Sequence, residues 1–266
     1  MSETADFYSS WLGCASFGAV SKRAIAAPEP IVFQPTDLSN CSVWLDANDG
    51  ATIIDVSGSL TSWANKGTFG GSANANDGVV LTGTDTINSL NVMKFQAYAD
   101  LLFNWTQVSN PITCFIVMKP ITDLTTAGLP YMNFFDALST IYNFGTSMYY
   151  DSGLMQFGYG CGANNLGVYC LGYNSTNPTN IPLLIAIRND TTTNNELILN
   201  NAVQTLTFSD TANYNLSNFN YYMGNPVHGT EFDFAEFIIY DRALSDTEID
   251  QVNVYLTAKW DIKTLP

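Results

Sequence analysis

Phe234-Ala-Glu-Phe-Ile-Ile-Tyr-Asp-Arg-Ala-Leu-Ser-Asp-Thr-Glu-Ile249 decides the fold, because a strand and a helix meet inside it. From Phe234 to Tyr240 the residues are aromatic, β-branched or small, with one carboxylate among them. So short and apolar a run predicts a strand buried deep in a sheet. Ser245-Asp-Thr-Glu248 is then a capping box: the serine oxygen takes the amide three residues on, and the glutamate reaches back to the cap. Ile249, Val252, Leu256 and Trp260 follow at helical spacing. The pattern predicts one amphipathic helix over Ser245–Lys259, lying outside a β-sandwich and covering an open edge or end of it.

Outward from this segment the chain reads as β-structure back to about Asp37. Val43–Leu45, Val92–Phe95, Cys114–Lys119, Tyr149–Tyr159, Leu183–Arg188, Glu196–Asn200, Gln204–Phe208 and Asn220–Gly224 are β-rich runs separated by turn residues. Phe115–Met118 and Leu183–Ile187 are continuously apolar, as strands buried deep in a sandwich are. Asn200-Asn201 sits between two strand patterns, and asparagine tolerates positive φ, so a tight hairpin is predicted there. Residues 1–36 differ. Pro28, Pro30 and Pro35 mark an extended linker, and Phe7, Tyr8, Trp11, Leu12 and Phe17 before it are too apolar for a free tail. The expected organisation is an N-terminal arm and proline-rich linker over 1–36, then a single sandwich over 37–266.

Composition bounds the function. Of 266 residues 46% are hydrophobic and only 12% charged, so a substantial core is available. The net charge of −15 would repel phosphate backbones and anionic membranes, which argues against both as partners. No apolar run approaches the ~20 residues that span a bilayer. Glu3 and Asp6 precede the weakly apolar N-terminal stretch and Lys22 and Arg23 follow it, the reverse of a secretory signal. The five cysteines (Cys14, Cys41, Cys114, Cys161 and Cys170) show no framework spacing and read as free thiols, although Cys161 and Cys170 could meet across a hairpin. The five N-x-S/T sequons, at Asn40, Asn104, Asn174, Asn189 and Asn215, are about as many as this composition yields by chance.

Several segments resemble a known family. Ser42-Val-Trp-Leu-Asp-Ala-Asn-Asp49, Thr61-Ser-Trp-Ala-Asn-Lys-Gly67, Asn88-Ser-Leu-Asn-Val-Met-Lys-Phe95, Pro111-Ile-Thr-Cys-Phe-Ile-Val-Met-Lys-Pro120 and the closing segment through Trp260 are similar, in order, to the motifs of concanavalin A-like (laminin G-like) jelly-roll domains. Such domains occur in phage and large-virus structural proteins and in bacterial surface proteins. The resemblance implies an all-β, two-sheet antiparallel jelly-roll sandwich with one C-terminal amphipathic helix and an extended N-terminal arm. It implies adhesion, carbohydrate contact or assembly, and no common catalytic residues. It also implies that Trp44, Trp63, Tyr240, Arg242 and Trp260 are core and corner positions, with Arg242 in a local ion pair.

Three sets of residues are candidates for chemistry. Glu231-Phe-Asp-Phe-Ala-Glu236 has the E-x-D-x-x-E spacing of laminarinase-type glycoside hydrolases. There a bulge returns the second glutamate to the face of Glu231 and Asp233, and two carboxyls ~5–5.5 Å apart act as nucleophile and acid/base. Its merger into the closing segment argues for a non-enzymatic reading. Asp46, Asp49 and Asp55 fall near one loop region and are the candidates for Ca²⁺, which takes several oxygen ligands. Asp233 and Asp241 flank the last strand in the same role. The single histidine, His228, excludes a multi-histidine zinc site and reads as part of a surface turn. Aromatic and amide-rich stretches at Asn143–Tyr173 and Asn213–Asn225 suit stacking on sugars or a wet protein interface.

The leading expectation is a non-enzymatic virion structural protein, a capsid, tail or fibre component. Its arm residues Phe7, Tyr8, Trp11, Leu12 and Phe17 would dock on other virion proteins or a second copy of the chain. The first alternative is a carbohydrate-binding, adhesive module at a cell surface or outside the cell. The second is a retaining glycosidase using Glu231 and Glu236.

Overall fold

The computed structural model describes residues 33–103, 111–123, 131–137, 143–151, 154–162, 168–173, 178–189, 195–204, 206–208, 221–224 and 229–265. The arm residues Phe7, Tyr8, Trp11, Leu12 and Phe17, together with Cys14 and His228, lie outside the described residues.

Eighteen strands occur among the described residues. In chain order they are β1 (Cys41–Asp46), β2 (Ile53–Val56), β3 (Ser59–Ala64), β4 (Ser72–Ala75), β5 (Val80–Ile87), β6 (Leu90–Phe95), β7 (Asp100–Phe103), β8 (Ile112–Pro120) and β9 (Tyr131–Ala137). Then come β10 (Asn143–Asp151), β11 (Leu154–Gly162), β12 (Val168–Tyr173), β13 (Leu183–Asn189), β14 (Asn195–Leu199), β15 (Ala202–Val203), β16 (Leu206–Phe208), β17 (Tyr221–Gly224) and β18 (Phe232–Tyr240). One α-helix, α1 (Asp246–Trp260), closes the chain.

All the pairings are antiparallel, and they build two sheets. In the first, β18 runs beside β8 from Phe232↔Pro120 to Tyr240↔Thr113, and β8 continues to β13, β14 and β15. The other edge of β18 is shared by β1, from Tyr240↔Cys41 to Glu236↔Asp46, and by β6, which carries β5. The second sheet runs β2-β3-β4-β7-β17-β9-β10-β11-β12-β16. A single bridge, Ser59↔Leu81, joins the two. The molecule is therefore the expected two-sheet antiparallel sandwich with one C-terminal helix.

The side-chain period of a strand explains the burial. In β18, Phe232, Phe234, Phe237 and Ile239 enter the core between the sheets, with Trp63, Leu101, Phe103 and Met223 from the second sheet. Ala235, Ile238 and Tyr240 enter a separate core with Ile249, Val252, Leu256 and Trp260 of α1. β8 and β13 divide in the same way: Ile116 and Ile185 face the sandwich, Phe115 and Leu184 face the helix side. These strands are continuously apolar because both of their faces are covered. The helix thus roofs the outer face of the first sheet rather than plugging an edge.

Several local readings are realised in atomic detail. The Ser245 and Glu248 capping box forms at both of its bonds. Arg242 donates two hydrogen bonds to Glu248, at 2.9 and 2.7 Å. Asn200 and Asn201 both take left-handed φ, 43° and 68°, in the β14–β15 hairpin. Asn200 also accepts the Leu184 amide at 2.7 Å and donates to the Lys263 carbonyl at 2.7 Å, tying the hairpin to the C-terminal tail. Residues 33–36, expected to end the linker, pack on the sandwich. Phe33 meets Tyr255 edge-on at 5.8 Å, and the Tyr240 hydroxyl donates to the Pro35 carbonyl at 2.9 Å.

Other readings are corrected. Tyr149–Tyr159 is not one strand: Asp151 pairs with Leu154, and the chain doubles back as β10 and β11. The run Gln204–Phe208 continues the Asn200-Asn201 hairpin only at its first residue, where the Gln204 amide donates to the Leu197 carbonyl at 2.8 Å. Ala202–Val203 pairs with β14, whereas Leu206–Phe208 pairs with β12. Cys161 stands opposite Phe144 and Cys170 opposite Phe157, so the two cysteines are not cross-strand partners. Cys41 and Cys114 are free and buried, and burial pushes the Cys41 thiol up to about 12. β2, β4, β5, β7, β9 and β12 were not anticipated. β2, β4 and β5 carry Ser, Thr, Asn, Gly and Asp at exposed or half-exposed positions, so alternation is weak there.

Two outcomes follow from the helix side. Trp260 is fully buried, and Trp260→Ala is expected to cost ~3–5 kcal/mol, read by denaturant or thermal unfolding. Hydrogen bonds from Arg242, then from the Ser245 amide, hold the Glu248 carboxyl down to about 2 from 4.5. A depressed folded value stabilises fully above the unfolded one, so this contribution should fade as pH falls from about 4.5 through about 2. Unfolding of Arg242→Gln, followed over the same pH range, should show a flatter acid limb than the wild type.

Candidate functional site

Position 236 owes its orientation to a bulge. The register of β18 against β8 slips between Phe234 and Glu236, so Ala235 and Glu236 are both turned toward the helix side. The slip puts Glu236 on the face of Glu231 and Asp233, as the E-x-D-x-x-E reading expects. What it meets there is a closed shell of donors. Oε1 accepts Trp44 Nε1 at 2.7 Å and the Tyr255 hydroxyl at 2.8 Å. Oε2 accepts Trp260 Nε1 at 2.7 Å and Lys259 Nζ at 2.8 Å. The residue is 1% exposed. Burial pushes its carboxyl above the usual range, against the pull of the Lys259 charge.

The other two acids of the motif stand apart from this shell. Asp233 is buried between Lys119 and Lys94 in the ladder and forms an ion pair with Lys119 at 2.7 Å. Burial raises its carboxyl, and Lys119 opposes the shift. The Glu231 amide donates to Thr122 Oγ1 at 2.7 Å, and its carbonyl accepts the amides of Ile121 and Thr122. A retaining pair must face one sugar with an open carboxyl on each side. Here the Glu236 carboxylate has two donors on each oxygen and lies beneath α1. Glu236 fastens the helix to the sheet.

The calcium candidates divide similarly. Asp46 pairs with Lys259 at 2.8 Å and lies 3.8 Å from Lys66. Asp49 pairs with Lys66 at 2.7 Å, and that hydrogen bond holds its carboxyl below the ordinary value. Lys66 in turn stands 3.7 Å from the centre of the Trp44 ring. Asp55 belongs to another turn, where it accepts the Gly58 amide at 3.0 Å. Asp46 and Asp49 are brought together by lysines, and no group of three His, Cys, Asp or Glu suited to a metal occurs among the described residues.

The cations are engaged to the same degree. Each described lysine and arginine has a carboxylate partner. Lys94 pairs with Asp85, Arg188 with Glu196 and Asp246, and Lys263 with Asp261, besides the pairs already given.

A different feature stands at the surface, where three turns converge. Gln96 donates to the Val79 carbonyl, Asp100 to the Asp77 carbonyl, and Asn76 to the Asp100 carbonyl, so 76–79 and 96–100 are zipped together. The buried Asp100 carboxylate accepts the Asp77 amide at 2.7 Å and Asn76 Nδ2 at 3.2 Å. Burial raises this carboxyl, against those two bonds. Gly78 has φ 65°, and a Cβ there would stand 2.6 Å from the Ala99 Cα. On this base Tyr98 is held at φ 64° with 55% of its surface exposed. Its ring lies against Gly229, where a Cβ would stand 2.6 Å from Cζ. Sequence reading passed over Tyr98; the signal was an Asp-Gly turn at 77–78 and a tyrosine in the turn after a strand. It placed ligand-binding aromatics instead at 143–173 and 213–225, whose side chains, apart from Tyr222 and Met223, lie outside the described residues.

No protein-family model and no curated protein sequence matches this chain. Solved structures do match in fold. The receptor-binding domain of botulinum neurotoxin D is 13% identical, with a TM-score of 0.59, over 83% of this chain and 53% of that one. The serotype D ligand-binding domain in complex with N-acetylneuraminic acid is 14% identical, with a TM-score of 0.54, over 81% and 50%. A type C structure, whose cell entry depends on interaction with two ganglioside molecules, is 14% identical with a TM-score of 0.53, over 82% and 51%. The chain thus spans about half the length of these solved structures, and at such identities the likeness is one of fold.

The buried carboxylate yields a stability test. Glu236→Leu would leave two indole N–H groups and the Tyr255 hydroxyl without their acceptor and would leave the Lys259 ammonium with Asp46 as its remaining carboxylate partner. It is expected to cost ~3–5 kcal/mol, as breaking a buried pair from one side does, and the loss should be read in urea unfolding.

Proposed function

We propose that this chain is a non-catalytic, surface-exposed carbohydrate-binding module. The observation that carries the reading is the sandwich fold shared over four-fifths of the chain with receptor-binding domains, one of them in complex with N-acetylneuraminic acid. The chemistry of the described residues supports it. Glu236, one of the two carboxylates that a glycosidase would use, is taken up in fastening the helix, and each described lysine and arginine has a carboxylate partner. The described surface includes aromatic, amide, hydroxyl and carboxylate groups, which stack on sugar rings and bond sugar hydroxyls. The reading invokes no cofactor. It places the protein outside the cell or on a particle or cell surface, where glycans are met. No helix among the described residues is long and apolar enough to cross a membrane. A virion assembly role draws on the docking residues Phe7, Tyr8, Trp11, Leu12 and Phe17, outside the described residues, and the comparisons favour glycan contact over it.

The test is binding of the full chain to a printed glycan array, confirmed by calorimetry with a soluble hit. Saturable binding to a defined glycan class is expected. A chain that stays folded and binds no glycan, or that hydrolyses what it binds, would overturn the reading.

A further inference from the structure

Tyr98 combines features that packing alone does not require. A left-handed φ is unfavourable for a bulky residue and suits glycine. Yet the ring this φ carries is more than half exposed, at 55%, so little burial offsets the cost. Strain kept at an exposed side chain is characteristic of ligand contacts. The support is rigid. The strands of hydrogen bonds between 76–79 and 96–100 fix the backbone, the buried Asp100 carboxylate clamps the facing turn, and Gly229 leaves room for the ring to lie flat. Val79 is exposed beside it, and Asn76 and Asp77 are exposed hydrogen-bonding groups on the same turn. A fixed aromatic face with neighbouring amide and carboxylate oxygens is the equipment for stacking on a sugar's C–H face and bonding its hydroxyls.

The charge of the place narrows the ligand. Asp77, Asp100 and, two residues beyond Gly229, Glu231 are all acids. Lys94 lies nearby on β6, bonded to Asp85 at 2.9 Å. Each described lysine and arginine already has a carboxylate partner, and the chain carries a net charge of −15. A sugar bearing its own carboxylate would enter a repulsive field with no free described cation to meet it. We infer that Tyr98 is the stacking platform of a glycan site, and that the site takes neutral glycans rather than sialylated ones. The inference rests on the carbohydrate-binding reading. It also departs from the fold neighbour seen with N-acetylneuraminic acid.

The experiment uses the full chain and an array of galactose-, glucose-, mannose- and N-acetylglucosamine-terminated oligosaccharides, each printed also with an N-acetylneuraminic acid cap. Binding to at least one uncapped series, with tenfold or greater loss on capping, is the expected result. Tyr98→Gly removes the ring while suiting the backbone. It should abolish that binding with an unchanged or raised melting temperature, whereas Tyr98→Phe should retain it. Gly229→Ala should weaken binding by displacing the ring. Preference for the capped series, unaltered binding by Tyr98→Gly, or a melting temperature lowered by that substitution would each overturn the inference while leaving carbohydrate binding standing. Absence of binding to every glycan would overturn both.

Discussion

The carboxylate of Glu236 is the constraint on which the first sheet depends. It lies on β18, the strand that pairs with β8, β1 and β6. Its four donors come from β1, through Trp44, and from α1, through Tyr255, Lys259 and Trp260. A buried anion is tolerable only if its oxygens are satisfied and its charge is met. Both conditions hold only when helix, β1 and β18 are assembled together. The same group therefore fixes the helix over the sheet at one rotation and one height, which apolar packing alone does not demand. Asp46 extends the network by sharing Lys259, and Lys66 carries it to Asp49 and the Trp44 ring. The turn that supplies Lys66 is itself pinned to β1. Gly67 approaches so closely that a Cβ would stand 2.4 Å from the Ser42 carbonyl oxygen.

This arrangement separates the molecule into a structural half and an outward half. The first sheet is covered on one face by the second sheet and on the other by α1, and it absorbs most of the aliphatic runs. The short strands β2 and β4 of the second sheet, and β5 of the first, are partly open, with Ile54 and Val56 of β2 exposed and Ser, Thr, Asn, Gly and Asp prominent in β4 and β5. Charge follows the same division. With 9 basic and 24 acidic residues, pairing of the cations leaves an excess of carboxylates facing solvent. Under the proposed reading, aromatic and amide groups are the means of recognition, and Tyr98 is the described example held in a strained, outward conformation.

By itself the sequence determined the elements whose signal is local or doubly buried. The capping box and the Ile249, Val252, Leu256 and Trp260 spacing define α1, because helix ends and faces are written within a few residues. The runs Phe115–Met118 of β8 and Leu183–Ile187 of β13 are legible because strands covered on both faces carry unbroken apolar sequence. Asn200-Asn201 is legible because few residues accept positive φ in succession. Tertiary structure alone decided the rest. Whether Glu231, Asp233 and Glu236 form an open carboxyl pair or an anchor depended on what covers them, and the covering groups, Trp44 and Trp260, stand 192 and 24 residues away from Glu236. Asp46, Asp49 and Asp55 read alike in sequence, yet lysines claimed two of them and a turn amide the third. Tyr98 became a candidate only when turns near 78, 98 and 229 met, since exposure and strain are properties of the assembled backbone and not of the residues in order.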